Sequence, residues 1–449
     1  HPADDVLAKM HHARLDVIVR LGFAAFPPRC AAGATYGVWA FNHRDKDHYR
    51  GGPPYFWEMV HDDPVSAVSL ECVTERRQSG MTLAKGYFAT DRRSLARNQL
   101  QPYYGSTHFV VQKLRELHQG GWAWLEKQSI PDGTYVGRRS TYSPPTSWEL
   151  ARWLTPQLLS KAMTTTRRVL KGDEVTHWRI AIRSRRDVGS MPNPADMSGF
   201  HWVESPKGHA YADPFLIERN GDQWVFFEDI SYRTGRGTIS CAQVTPEGLI
   251  TPPQAVAITG THLSYPNVFV ADGDTFMIPE SSADNVVRLY RATAFPLEWQ
   301  TVADLYSGSA VDTSVWTEDG LWWFFTTIRE PRSMASMLML FFADSKSGPW
   351  ISHPSSPISL DVRNARGAGA IFRSGRTLVR PSQDGSRGYG HSVTLNEIVT
   401  LTTTNYEERP LVRLRPTSEP ELAGIHTYNQ SGALEVIDGR CHRATHSVL

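Results

Sequence analysis

GHAYADPFLIERNGDQWVFF, from Gly208 to Phe227, reads as an apolar strand, a turn on Asn220-Gly221 and a second, aromatic-rich strand. A lone acid, Asp213, opens the first strand. The pattern recurs in SYPNVFVADGDTFMIPE (Ser264–Glu280), AVDTSVWTEDGLWWFFTT (Ala310–Thr327), RGAGAIFRSGRTLVRPSQD (Arg366–Asp384) and YNQSGALEVIDGRCHRAT (Tyr428–Thr445). Taking Gly221, Gly273, Gly320, Gly375 and Gly439 as turn glycines gives a period of about fifty residues, the mark of radially repeated β-sheets. Five hairpins predict an all-β propeller of five blades over residues 176–449.

Registering the repeats on those glycines puts Asp213, Tyr265, Asp312, Gly367 and Ser431 eight residues before the turn. Glu228, Glu280, Thr327, Ser382 and His446 stand seven after it. In a hairpin both positions lie at the open end, and five open ends meet at one axial mouth. Asp213, Asp312, Glu280 and Glu228 are therefore expected there, with Tyr265, Arg380, Gln383 and Asp384 nearby. Clustered carboxylates repel one another and lose hydration, so chemistry or sugar binding explains them better than folding does. The plain alternatives are a turn cap for Asp213 and rim salt bridges to Arg288 or Arg291 for the two glutamates.

A chain of 449 residues exceeds one compact core. Its hydrophobic content of 40%, charged content of 21% and net charge of +1 describe an ordinary globular protein, with no electrostatic case for nucleic acid or a membrane surface. No apolar run is long enough to span a bilayer. The 14 Trp and 16 Tyr serve either as sugar platforms or, more simply, as hairpin core. Cys30, Cys72, Cys241 and Cys441 are scattered and read as buried thiols, with no metal site and no disulfide framework. No cofactor is expected. The chain starts at His1 and not at Met, which is compatible with a removed leader or an unseen first segment; the expectation is a soluble protein, cytoplasmic in preference.

Before the propeller, LDVIVRLGF and VWAF read as buried parallel strands, followed by His43 and Tyr49-Arg50-Gly51-Gly52. Residues 91–175 read as a helical connector, with Gly120-Gly121 as a helix stop and a Thr/Ser cap after the Pro144-Pro145 pair. On His43 and Arg50-Gly51 the region 1–90 resembles part of the folate-dependent formyltransferase fold, an α/β arrangement. The resemblance implies an Asn two residues before the His and an Asp in a later strand. Phe41 stands at the first place and Gln78 near the second, so His43, Arg50 and Gln78 form an expected vestigial site without formyl transfer.

On YADPFLIERNGDQWVFFED, LSYPNVFVADGDTFMIPESS, AVDTSVWTEDGLWWFFTT, ADSKSGPW and RPSQDGSRGYGHSVTLNEI, the rest of the chain resembles the five-bladed arabinanase/levansucrase/invertase superfamily. It is closer still to the N-terminal region of the glucosamine inositolphosphorylceramide transferase family, whose members pair a formyltransferase-like region with a propeller. In those transferases sugar transfer is attributed to a separate domain that the reading does not find here. The superfamily implies a base or nucleophile at Asp213, an orienting acid at Asp312 and a general acid, for which geometry offers Glu280. Arg363 and Arg366, together with Arg380, suggest either a phosphorylated, nucleotide-linked or uronic sugar or counter-ions for the carboxylates. Three functions follow: an enzyme acting on a glycoside, a transferase of glycoconjugate or polysaccharide assembly, and a non-catalytic sugar-binding or scaffold module. All three have a carbohydrate or glycoconjugate as partner.

Overall fold

The computed structural model describes the chain except residues 1–7, 11, 23–27, 75–79, 172–173, 186, 188, 194–195, 197, 259, 330–335, 417–421 and 446–449. Among the described residues there are two compact units, one ending at Leu154 and one comprising Thr155–Arg329 and the chain from Ser336 onward.

In the first unit Ile18–Arg20 runs parallel to Val38–Asn42, as the apolar runs predict, and the antiparallel strands Val65–Val73 and Met81–Ala89 complete the sheet. Helices Leu95–Gly105 and Phe109–Lys127 belong to this unit. The expected stop at Gly120-Gly121 is instead a break within the second helix. Gly121 takes φ 74° and ψ 176°, and helix resumes beyond it to Lys127. Helix Ser147–Lys171 starts on a capping box: Glu149 N–H donates to Thr146 Oγ1 (3.3 Å) and Thr146 N–H donates back to Glu149 Oε2 (2.8 Å). No helix among the described residues is long and apolar enough to cross a membrane.

The second unit is a ring of five antiparallel sheets. Blade 1 holds His209–Arg219, Asp222–Ser231, Arg236–Val244 and Gln254–Ala255. Blade 2 runs from Ser264 to Ser307, blade 3 from Ala310 to Ser352 and blade 4 from Arg366 to Leu414. Blade 5 combines Leu422–Gly424, Tyr428–Ser431 and Leu434–Ala444 with Glu174–Ser184 and His201–Val203, so the first strands of this unit complete its last blade. In blades 1–3 the hairpins turn on Asn220-Gly221, Asp272-Gly273 and Asp319-Gly320, with positive φ at both residues (51–55° and 78–86°). That is the turn whose twist matches the strands and which Asn-Gly and Asp-Gly favour.

The fifth hairpin corrects the sequence register. Its turn is Gly432-Ala433, between the paired Ser431 and Leu434. Gly439 instead lies within strand Leu434–Ala444, paired with Arg179 and facing Trp202. In blade 4 the glycine takes the first turn position, Ser374 pairing with Thr377, which shifts that register by one residue.

Each seam of the ring is tied by hydrogen bonds. Tyr265 N–H donates to Asp213 Oδ2 (3.3 Å), Asn267 Nδ2 to Thr313 O (3.1 Å) and Thr327 Oγ1 to Ala365 O (3.0 Å). Tyr428 N–H donates to Ala368 O (2.8 Å), and Asn429 Nδ2 closes the circle on Pro214 O (2.7 Å). Aromatic side chains fill the space between: Phe215, Phe226, Tyr265 and Trp299 share one cluster and Trp323 and Phe325 another. The four cysteines are buried, as expected, and are not joined in disulfides. Gly369, at φ 141°, has no room for a side chain, because a Cβ would come 2.1 Å from Tyr428 O. Gly369→Ala is expected to lower the denaturation midpoint by overpacking the seam between blades 4 and 5, at a cost of about 1–3 kcal/mol; an unchanged midpoint would show that this seam does not limit stability.

Candidate active site

In blades 1, 2 and 3 the inner hairpin carries the same defect. Pairing slips between Ala212 and Phe215, between Ser264 and Asn267, and between Val311 and Ser314. Each slip is a β-bulge, and the residue inside it takes a left-handed backbone: Asp213 at φ 50°, Tyr265 at 44° and Asp312 at 51°. Strain of this kind in non-glycine residues persists only where the surroundings hold it, and it gathers at functional sites. The three positions are the ones that the eight-residue count singles out.

Asp213 is 5% exposed. Its Oδ2 accepts from Tyr265 N–H, and its Oδ1 accepts from Thr427 Oγ1 (2.9 Å) and faces His426 Nε2 at 3.4 Å. Burial pushes its pKa up to about 6; His426 opposes the rise, while Asp438 and Asp312 add to it. The turn-cap reading is thus partly right, since the carboxylate does accept a backbone N–H, but that N–H belongs to the next blade.

Asp312 is 4% exposed and forms an ion pair with Arg366, whose Nε donates to Oδ2, while Gln383 Nε2 donates to the same oxygen at 3.3 Å. Glu280 accepts from Ser282 Oγ at 2.7 Å, and its carboxyl lies within hydrogen-bonding reach of Asp312. Burial and the Asp312 charge push Glu280 up to about 8, with Arg366 pulling the other way. Glu228, also buried, is raised well above the usual range by burial first, then by Asp213 and Glu280. Its Oε1 meets His262 Nε2 at 3.2 Å, and His262 Nδ1 accepts the Gly237 N–H at 2.9 Å, which places the neutral ring's proton on Nε2. The alternative rim bridges do not form: Arg288 pairs with Asp304 and Asp284, and Arg291 with Asp274.

Of the remaining expected residues, Arg366 and Gln383 reach this cluster. Tyr265 does too, but its hydroxyl is taken up by Ser314 and by both backbone groups of Gly369. Arg380 is wholly buried in a two-toothed pair with Glu408 (2.7 and 2.8 Å), within blade 4. Arg363 grips Asp361, two residues before it, and Asp384 accepts from Ser386 N–H and faces Arg413. Arg380 and Gln383, three positions apart on strand Thr377–Asp384, point to opposite faces, so nearness to the open end does not bring both to the axis.

Sequence reasoning missed His426, Asp438 and Tyr389. Asp438 Oδ1 accepts the N–H groups of His426 and Thr427, its Oδ2 accepts from Asp213 N–H (3.2 Å), and His426 Nδ1 lies 2.5 Å from Oδ2. Tyr389, half-exposed, lies under the Arg366 guanidinium, 4.9 Å from the ring centre. Counting back eight residues from the true turn at Gly432 lands on Gly424, two residues from His426; the choice of Gly439 hid this. Asp213, His426 and Asp438 also hold ligand-type atoms within 4.8 Å of one another. Donors of a tetrahedral zinc site, each about 2.0–2.2 Å from the ion, stand more than about 3 Å apart, so the 2.5 Å contact of His426 with Asp438 is that of an ion pair and not of two zinc ligands.

In the first unit His43 Nδ1 bonds Tyr55 OH (3.0 Å), Asn42 Nδ2 donates to Glu71 (3.1 Å) and Arg50 lies over the Tyr135 ring. Gln78 lies outside the described residues.

Residues 203–429 match the family described as glucosamine inositolphosphorylceramide transferase 1, N-terminal. The chain belongs to this family. The match begins after the first unit, so the formyltransferase resemblance has no counterpart in it. The transferase 1 protein of Oryza sativa subsp. japonica is 36% identical over 205 residues, covering 44% of this chain and 28% of that one. The Arabidopsis thaliana protein is 30% identical over 231 residues, covering 50% and 30%. The chain thus spans less than a third of the length of these relatives. Among solved structures, a family 117 glycoside hydrolase of Zobellia galactanivorans aligns with TM-score 0.39 at 12% identity, over 59% of this chain and 90% of that one. An α-L-arabinanase of Cellvibrio cellulosa aligns with TM-score 0.35 at 11% identity, over 44% and 77%.

Proposed function

We propose that this member of the transferase family is a carbohydrate-active enzyme that breaks or remakes a glycosidic bond at the axis of the ring. The observation that carries this reading is a carboxyl raised to about 8, Glu280, beside an ion-paired Asp312 and within the field of Asp213 at about 6. Two acids whose surroundings separate their titrations are what acid/base cleavage of a glycoside requires. Glu280 gives its proton to the leaving oxygen. Asp213 acts on the opposite side, as base toward an incoming hydroxyl or as nucleophile on the anomeric carbon. Asp312 orients the sugar, and its charge keeps the proton on Glu280 until the bond stretches. Water as acceptor gives hydrolysis and a sugar or lipid hydroxyl gives transfer. The relatives' name joins glucosamine to inositolphosphorylceramide, which favours a glycoconjugate as the first substrate class to try.

The pH dependence follows from the two carboxyls. Asp213 must be ionised, so kcat/KM rises as pH passes about 6. Glu280 must be protonated, so kcat/KM falls as pH passes about 8. A profile that stays flat from 5 to 9 on any glycoside the protein turns over would remove both assignments.

The first unit is expected not to transfer formyl groups. Phe41 stacks on His43 where the family needs Asn, and Asn42 is engaged by Glu71. A formylated amino sugar, made by purified protein from formyl-tetrahydrofolate, would overturn this.

A further inference from the structure

His426 lies in the turn between Leu422–Gly424 and Tyr428–Ser431, and its side chain is 2% exposed. Both ring nitrogens face carboxylates, Nδ1 toward Asp438 at 2.5 Å and Nε2 toward Asp213 at 3.4 Å. A neutral imidazole carries one ring N–H, so one of those carboxylates would face a lone pair at ion-pair distance; only the imidazolium turns a cationic N–H edge toward both. Trp178 stacks on the ring (centroids 4.0 Å apart, 25° between planes) and Tyr389 meets it edge-on at 5.1 Å, which fixes the ring plane. Asp438 cannot turn away, because it already holds the N–H groups of Asp213, His426 and Thr427. A histidine that merely fills a seam needs one partner.

We propose that His426 is a positioning residue for Asp213: as an imidazolium clamped by Asp438, it keeps the Asp213 carboxylate ionised and in one rotamer across the seam of blades 5 and 1. The charges around it are Asp438 from its own blade, Asp213 from blade 1 and Arg366 from blade 4, with Tyr389 from the loop after Asp384. Burial and Arg366 disfavour the imidazolium, and the two carboxylates outweigh them. The role rests on Asp213 serving the reaction, whereas the charge state does not.

Two measurements separate those levels. Neutron diffraction from deuterium-exchanged wild-type crystals at pD 7 reads the ring directly and needs no variant. Deuterons on both Nδ1 and Nε2 are expected, and a single deuteron overturns the inference. In kinetics, His426→Gln keeps a neutral donor near Asp213 and removes the charge. The acidic limb of kcat/KM is then expected to move up by about one pH unit or more, with the basic limb unmoved; an acidic limb left in place overturns the positioning role. Asp213→Asn tests the underlying reading. Retained turnover in that variant, together with two deuterons on His426, would refute the base assignment and the positioning role while leaving the ion pair standing.

Discussion

Glu280→Gln is expected to lower kcat on an alkyl glycoside by about two to four orders of magnitude, the usual contribution of a general acid. On a nitrophenyl glycoside of the same sugar the loss should be far smaller, because nitrophenolate leaves without a proton. Asp213→Asn should abolish turnover of both, since base or nucleophile is needed whatever departs. A uniform loss across both leaving groups in Glu280→Gln would mean that Glu280 holds the sugar or the fold and does not act as the acid. Stability provides the control. Glu280 binds its proton more tightly in the folded state than its ordinary value of 4.5, so its contribution to stability declines as pH rises from about 4.5 through about 8. Glu280→Gln removes that decline, and the variant should unfold no more readily than the wild type at pH 8–9.

Arg380→Met is the substitution expected to damage the fold most. The guanidinium is 2% exposed and holds Glu408 by two hydrogen bonds, and it also donates to Asn364 O (2.8 Å), while Tyr406 OH donates to Glu408 at 2.7 Å. Removing one partner strands Glu408 in the interior, at a cost of about 3–5 kcal/mol. Replacing both, Arg380→Met with Glu408→Leu, should restore most of that loss, because the desolvated charge goes with its partner. A double variant as unstable as the single one would show that the pair's geometry, and not its charge balance, supports blade 4.

The contrast between Arg380 and Arg366 shows where the sequence stops being legible. Both follow a repeat motif and both count toward the mouth, yet Arg366 meets Asp312 at the axis and Arg380 points into its own blade. The repeated Asn-Gly and Asp-Gly turns made blades 1–3, and with them Asp213, Tyr265 and Asp312, readable at eight-residue distance, because turn chemistry is local. Blade 5 was misregistered because its turn is Gly432-Ala433 with no Asn or Asp, while Asp438-Gly439 mimics the missing signal inside a strand. His426 and Asp438 were lost with that register. Their role depends on a seam between residues more than two hundred positions apart, which no local pattern records.

That seam also orders events during synthesis. Strand Glu174–Ser184 is completed by Leu434–Ala444, some 250 residues later. At ribosomal speeds it waits on the order of tens of seconds as an unpaired edge. Blades 1 to 4 pair within themselves and need not wait. The partners that reach Asp213 from blade 5, namely His426, Thr427 and Asp438, arrive only with that blade. A chain cut before blade 5 would therefore hold four self-paired blades and an Asp213 without its cation, so that the chemistry proposed for the axis depends on closure of the ring.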